Sequence, residues 1–333
     1  MSKVRKLVEG MRPGALSHLP VYLRISLLAV MACLAACATS PLGRDQLILF
    51  PDDQVAQMGV TAYQELKSST PVTKDSGASR YVGCVANALT RALPEGSAAQ
   101  PGQWEVTVFA DDQINAFALP GGKIGVYQGL LSVAENQDQL ATVVAHEIAH
   151  VQSRHSNERI STQYATSTGL ELASVLAGQS TPAKETLFGL LGVGAQVGVL
   201  LPFGRKQESE ADLVGLELMA RAGFDPRQSV NLWQNMNAAG GRGPPEFLST
   251  HPSGETRIRS LEQHMPNVLP LSEQARAGGA RPDCPDPEWL FAGVGAWLQR
   301  QAFLARITRW RGSLCKQALV LQSADAASVR AVT

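Results

Sequence analysis

Between Asn136 and Ser156, Leu140, Val143, Val144, Ile148 and Val151 recur at intervals of three and four, which puts them along one stripe of a buried amphipathic helix. Start and stop signals predict further helices over Asp52 to Ser69, Ser76 to Leu93, Arg205 to Ala222, Pro226 to Ala239 and Ser253 to Met265, with Pro94, Gly223 and Asp225-Pro226 as punctuation. Period-two or β-prone runs predict strands at Trp104 to Ala110, Ala116 to Leu119 and Lys123 to Tyr127, the last two joined by a turn at Pro120-Gly121-Gly122. Leu187 to Phe203 is almost wholly apolar but rich in glycine, and reads as a core helix or one dipping towards a bilayer. The pattern is that of a mainly helical α+β chain with a small sheet.

The first 36 residues follow another rule. Met1 to Arg24 carries five basic residues and one acidic one, and Ile25 to Ala36 carries no charge. Twelve apolar residues rise about 18 Å as a helix, short of the ~30 Å hydrocarbon core, so the segment reads as an export signal rather than a span. It ends Leu34-Ala35-Ala36-Cys37, which resembles a bacterial lipobox with Cys37 as the lipidated mature N-terminus. Acyl chains would then hold the body to a membrane at about 0.8 kcal/mol per buried CH₂. Ala38 in the next position favours the outer membrane. The expected division is a signal peptide over 1–36, a tether over 37–51, a catalytic domain over 52–284 and a basic, Trp-containing extension of unassigned role over 285–333.

Charge changes the picture once it is split in this way. The whole chain balances 29 Lys+Arg against 29 Asp+Glu. Without residues 1–36 the balance is 24 to 28, so the neutrality comes from the signal. No basic excess is left for a phosphate backbone, which argues against nucleic acid as a partner.

The candidate chemistry lies on the best-defined helix. His146-Glu147-Ile148-Ala149-His150 is an HExxH sequence. Residues four apart sit one turn above each other, so both imidazoles can reach one Zn²⁺ while Glu147 projects beside them as a base for an attacking water. A third ligand is needed. His155 lacks the intervening glycine that would let it return to the site, and reads as a surface or supporting group. Glu208-Ser209-Glu210-Ala211-Asp212 opens a later helix, with Glu208 and Asp212 on one face and Glu210 rotated about 200° away. Glu208 is therefore the expected third ligand, and Asp212 the carboxylate that receives an imidazole N–H.

NAFALPGGKIGV, HEIAH, ESEAD, and STHPS followed by Arg257-Ile258 occur in that order along the chain. Together they resemble the HtpX and CAAX prenyl protease type of zinc metallopeptidase, and within it the small periplasmic lipoproteins of the LoiP and BepA kind. The resemblance implies a zincin-type α+β fold, one zinc per chain and Glu208 as ligand. It implies an edge strand over Asn115 to Val126 that pairs with extended substrate, and places Asn115 and Arg257 at the cleft. It also implies that His251 can take the fourth zinc position as an inhibitory switch. Cys84 to Cys284 is the first expected disulfide in an oxidising compartment, with Cys284 to Cys315 as alternative. The implied function is a zinc endopeptidase that degrades misfolded or misassembled envelope proteins from the periplasmic face of the bacterial outer membrane. The competing readings are a mostly latent protease acting as chaperone or assembly factor, and a zinc hydrolase of small substrates or peptidoglycan.

Overall fold

The computed structural model describes residues 37–99, 102–166, 204–239, 247, 251 and 256–287. The expectations for the signal peptide, for Leu187 to Phe203 and for most of the extension lie outside the described residues. The chain divides into two compact units, 1–284 and 285–333, of which the first carries everything below.

The stretch expected as a tether is a short antiparallel hairpin, β1 (Cys37–Thr39) with β2 (Asp45–Leu47), Ala38 opposite Gln46. Helix α1 (Asp52–Ser69) follows, then α2 (Ser76–Arg91), whose first turn is capped by the Asp75 carboxylate accepting from the Gly77 and Ala78 amides. The second sheet contains β3 (Glu105–Phe109), β4 (Ala116–Leu119) and β5 (Lys123–Tyr127) in the order β3-β5-β4, with β3 parallel and β4 antiparallel to β5. Gly121 and Gly122, at φ 85° and 73°, make the tight turn into β5, a conformation that L side chains resist. Helix α1 lays Val55, Ala62, Tyr63 and Leu66 on this sheet, against Phe109, Phe117, Leu119 and Tyr127.

The sheet corrects one expectation. Asn115 to Val126 is not a single edge strand, because β5 is paired on both sides and lies in the middle. The edges of this sheet are β3, whose outer side carries an isolated bridge between Phe109 and Val72, and β4. The edge strand within the expected range is therefore Ala116–Leu119.

The central helix α3 (Gln137–Gln152) is capped by Asn136, whose side chain accepts from the Asp138 and Gln139 amides. Every residue from Gln139 to Val151 is buried, so the polar stripe opposite Leu140, Val143 and Ile148 faces protein rather than water. The helix stops short of the predicted Ser156. Arg154 adopts φ 55°, which ends α3, and α4 (His155–Thr166) begins at the next residue in a new direction. Helix α5 (Arg205–Arg221) packs more extensively on α3 than any other element. Gly215 permits that approach: a Cβ there would lie 2.9 Å from the His146 amide nitrogen and 3.0 Å from the Ala145 carbonyl carbon.

Helix α6 (Gln228–Ala239) and α7 (Thr256–Ala277) complete the domain. The predicted end of α7 at Met265 is too early, since the helix continues through Pro266 and Pro270. Both prolines lie on the exposed face, where the carbonyls they leave without a donor, at Glu262 and Pro266, can turn to water. The buried face carries Val268 and Ser272, and the Ser272 hydroxyl donates to the Phe224 carbonyl. A disulfide joins Cys84 of α2 to Cys284 just beyond α7, across 200 positions of sequence. Among the described residues no helix is long and apolar enough to cross a membrane.

A side chain at Gly215 must push α3 and α5 apart. We expect Gly215→Val to lower the unfolding free energy by about 1–3 kcal/mol, as overpacking typically does, and to weaken zinc binding with it. Urea unfolding of the two proteins checks this; equal midpoints would mean that the helices do not depend on that contact.

Candidate metal centre

Four side chains from three places in the sequence meet in the interior. His146 and His150 come from α3, Glu208 from the first turn of α5, and His251 from the segment before α7. One ligand atom from each lies within 4.8 Å of the others, and all four residues are buried. The Nε2 atoms of His146 and His150 are 3.1 Å apart. His251 Nδ1 is 3.2 Å from His146 Nε2 and 3.1 Å from Glu208 Oε1. Glu208 lies 3.4 Å from each of the two α3 imidazoles. His146 and His150, one turn apart on α3, meet Glu208 of α5 because Gly215, seven residues or about two turns further along α5, holds the helices close.

The backs of the ligands are fixed too. His146 Nδ1 faces Asp212 Oδ1 at 2.9 Å, as the spacing of the ESEAD sequence implies. His150 Nδ1 faces His155 Nδ1 at 2.9 Å, and His155 Nε2 faces Glu210 Oε2 at 3.1 Å. Of the two readings of His155, the surface one is excluded: the residue is fully buried. It supports His150 from behind because α3 breaks at Arg154, which continuing helical geometry could not have achieved.

Arg257 takes a different place from the one expected. It is buried, donating from Nε to Asp212 Oδ2 at 2.6 Å and from Nη2 to Glu208 Oε2 at 2.7 Å, with its guanidinium 4.0 Å above the Trp233 ring. These contacts align the two carboxylates. Asn115 is buried where β4 begins, its Oδ1 accepting from the Ala116 amide. Trp233 and Phe247, which sequence reasoning did not single out, pack their rings on His146, and Phe247 stacks on His251 at 4.5 Å between centroids.

Electrostatics show what this group lacks. Burial opposes a charge on His146, yet the carboxylates of Asp212 and Glu208 outweigh it and raise the pKa to about 9. Burial holds His150 well below the usual imidazole range. Glu208 resists burial because His251, His146 and His150 surround it, and its carboxyl stays well below the ordinary value. A buried carboxylate ringed by imidazoles whose nitrogens converge at 3.1–3.4 Å calls for a compact positive charge at their common point. Nitrogen and carboxylate donors in this number suit zinc. The residues fit one metal ion.

Glu147 stands beside the group without joining it. It is buried, its Oε1 lies 3.4 Å from His251 Nε2, and the Ala118 amide of β4 donates to its carboxylate. Burial pushes its pKa up, against the partial pull of His251 and His146.

Removal of ligands and of their supports should separate. We expect Glu208→Ala to abolish stoichiometric zinc binding, and Asp212→Asn to weaken it by about 10–100-fold, both read by competition with a chromophoric chelator. Wild-type affinity in Glu208→Ala would place the third donor elsewhere.

Comparison with known proteins agrees with this geometry. Residues 81–265 match the model of Peptidase family M48. The mitochondrial metalloendopeptidase OMA1 of Schizosaccharomyces pombe is 42% identical over 168 residues, 50% of this chain and 48% of that protein. The β-barrel assembly-enhancing protease of Yersinia pestis is 31% identical over 226 residues, 66% of this chain and 45% of the relative. Bovine mitochondrial OMA1 is 31% identical over 266 residues, 75% and 49%. The chain spans about half the length of these relatives. The matched region contains both the HExxH helix and the helix that brings Glu208 to it, and on this ground the chain belongs to Peptidase family M48.

Proposed function

We propose that the protein is a zinc-dependent endopeptidase that cleaves misfolded or misassembled cell-envelope proteins from the periplasmic face of the outer membrane. The observation that carries the enzymatic part is the position of Glu147. It is a buried carboxylate that ligates nothing, beside four converging donors, and it is hydrogen-bonded to the strand whose edge is open. His146, His150 and Glu208 would hold the ion. Zinc, when bound, supplies Lewis acidity, polarising a carbonyl and lowering the pKa of water to about 7.

The chain's own residues do the rest. The open edge of β4 pairs with an extended peptide through backbone hydrogen bonds, which tolerates many side-chain sequences. The same strand donates to Glu147 from Ala118, so the base and the peptide share one frame. Glu147 takes the proton of the attacking water and returns it to the amine nitrogen as the C–N bond breaks. Burial raises the pKa of this carboxyl, which makes it a stronger base than an exposed carboxylate. Cys37 as a lipid attachment, the charged and apolar run before it, and the likeness to a β-barrel assembly-enhancing protease support the envelope setting. The mitochondrial relatives are named metalloendopeptidases in another compartment, and support the chemistry rather than the place.

A second reading is favoured by one observation. His251 is buried among the ligands, and its segment reaches the sheet where the Phe247 amide donates to the Ile114 carbonyl, next to the start of β4. A histidine in that place fills the fourth position, and Phe247 sits beside the start of β4. The resting state is then a latent protease, acting as chaperone or assembly factor until the segment moves.

Two variants test these readings. Glu147→Gln should retain one zinc per chain and cleave unfolded casein about 10²–10⁴-fold more slowly; undiminished cleavage removes Glu147 as the base. His251→Ala should raise basal cleavage of the same substrate, and an unchanged or lower rate would end its inhibitory role.

A further inference from the structure

The two α3 imidazoles are supported unequally. His146 Nδ1 meets a carboxylate directly, that of Asp212. His150 Nδ1 meets another imidazole, His155, and only behind it a carboxylate, Glu210. One arrangement of protons satisfies this chain of contacts. His150 Nδ1–H donates to His155 Nδ1, and His155 Nε2–H donates to Glu210 Oε2, which leaves the lone pair of His150 Nε2 pointing at Glu208 and the metal position. The reverse arrangement would set an Nδ1–H of His155 against an acceptor nitrogen of His150 and put the proton on His150 Nε2, where a metal must bind. The carboxylate of Glu210 therefore selects the ligating form of His150 from two residues away.

Glu210 is itself held by a segment far away in sequence. Arg44 Nε donates to Glu210 Oε2 at 2.9 Å, and the Leu42 amide approaches Oε1 at 3.4 Å. Arg44 also grips Glu158 of α4, through Nη2 at 2.7 Å, while Gln46 donates to the Ser153 carbonyl at 2.7 Å, at the break between α3 and α4. Gln207 of α5 reaches the same Glu158 carboxylate at 2.8 Å. The turn of the β1–β2 hairpin is thus clamped onto the junction that carries His155, including the residue next to Arg154 with its left-handed φ of 55°. A strained junction persists only where neighbours determine it, and the hairpin provides those neighbours.

We propose that Arg44 is a positioning residue for the metal centre: docked on Glu210 and Glu158, it orders the Glu210–His155 pair that sets the tautomer and orientation of His150. This rests on the reading of His146, His150 and Glu208 as the metal ligands. It follows that the β1–β2 hairpin, which begins at the expected lipid-bearing residue Cys37, and the metal are energetically linked. Whatever loosens the hairpin weakens zinc binding, and zinc tightens the hairpin by the same factor.

The test uses the full chain and measures zinc affinity by chelator competition, with far-UV circular dichroism and urea unfolding as controls for folding. Arg44→Met and His155→Phe are each expected to weaken zinc binding by about 10–100-fold, and Arg44→Lys to restore part of the loss. Arg221→Met, which removes an exposed ion pair with Glu217 at the far end of α5, is expected to change nothing. A second measurement needs no variant. In hydrogen exchange of the wild-type chain, zinc should increase protection of the amides from Leu42 to Gln46, and apo and zinc-loaded chains that exchange there equally would overturn the proposal even if the variants fail to fold. Zinc uptake by the wild type together with undiminished affinity in both Arg44→Met and His155→Phe overturns the proposal and leaves the metal centre standing. A wild-type chain that takes up no zinc refutes the centre itself, and the proposal with it.

Discussion

Everything in this domain is arranged around a buried group of three imidazoles and the Glu208 carboxylate, whose donor atoms converge on one point. Burying such groups costs free energy unless they are paired, and here the pairing converges on one point between two helices. The close approach of α3 and α5 over Gly215 brings the donors together, and Arg257, lying on Trp233, keeps Glu208 and Asp212 aimed correctly. One edge strand of the small sheet, β4, touches Glu147. Glu147, the converging donors and the edge of β4 are consequences of one packing arrangement rather than three separate features.

Much of this could be read in the sequence because its determinants are local. The stripe of Leu140, Val143, Val144, Ile148 and Val151 places α3, the four-residue spacing of His146 and His150 makes a half-site, and Asp212 four positions after Glu208 puts both on one face. Strands β4 and β5 were equally plain, since glycine and proline punctuate them. What escaped was set by distant partners. Neither Ser153 nor Arg154 is a glycine or proline, so nothing marks the break after Gln152; it is imposed by Gln46 and Arg44 from more than 100 positions away. Pro266 suggested the end of a helix that continues because its buried face is still packed on its neighbours and its prolines face solvent.

Glu210 illustrates the difference. Its angular position turns it away from the converging donors, and the side of α5 it occupies is buried against α4 and the β1–β2 hairpin. A carboxylate turned away from the site proves to act on it through His155. The stretch that composition describes as a tether is likewise a hairpin whose Leu42, Arg44 and Gln46 hydrogen-bond to the rest of the domain, and its connection to the metal position runs through side chains that no local pattern reveals. This extends the functional unit from the HExxH helix back to the first described residues of the chain.

The central claim is that the converging donors hold a single zinc ion while Glu147 stays outside its coordination. X-ray absorption at the zinc edge, on the full chain and on Glu147→Gln, tests it most directly. The account predicts one zinc per chain with only nitrogen and oxygen neighbours at about 2.0–2.2 Å, imidazole scattering in the outer shells, and the same spectrum in the variant. A sulfur neighbour near 2.3 Å, an absence of imidazole scattering, or a spectrum that changes when Glu147 is replaced would contradict it.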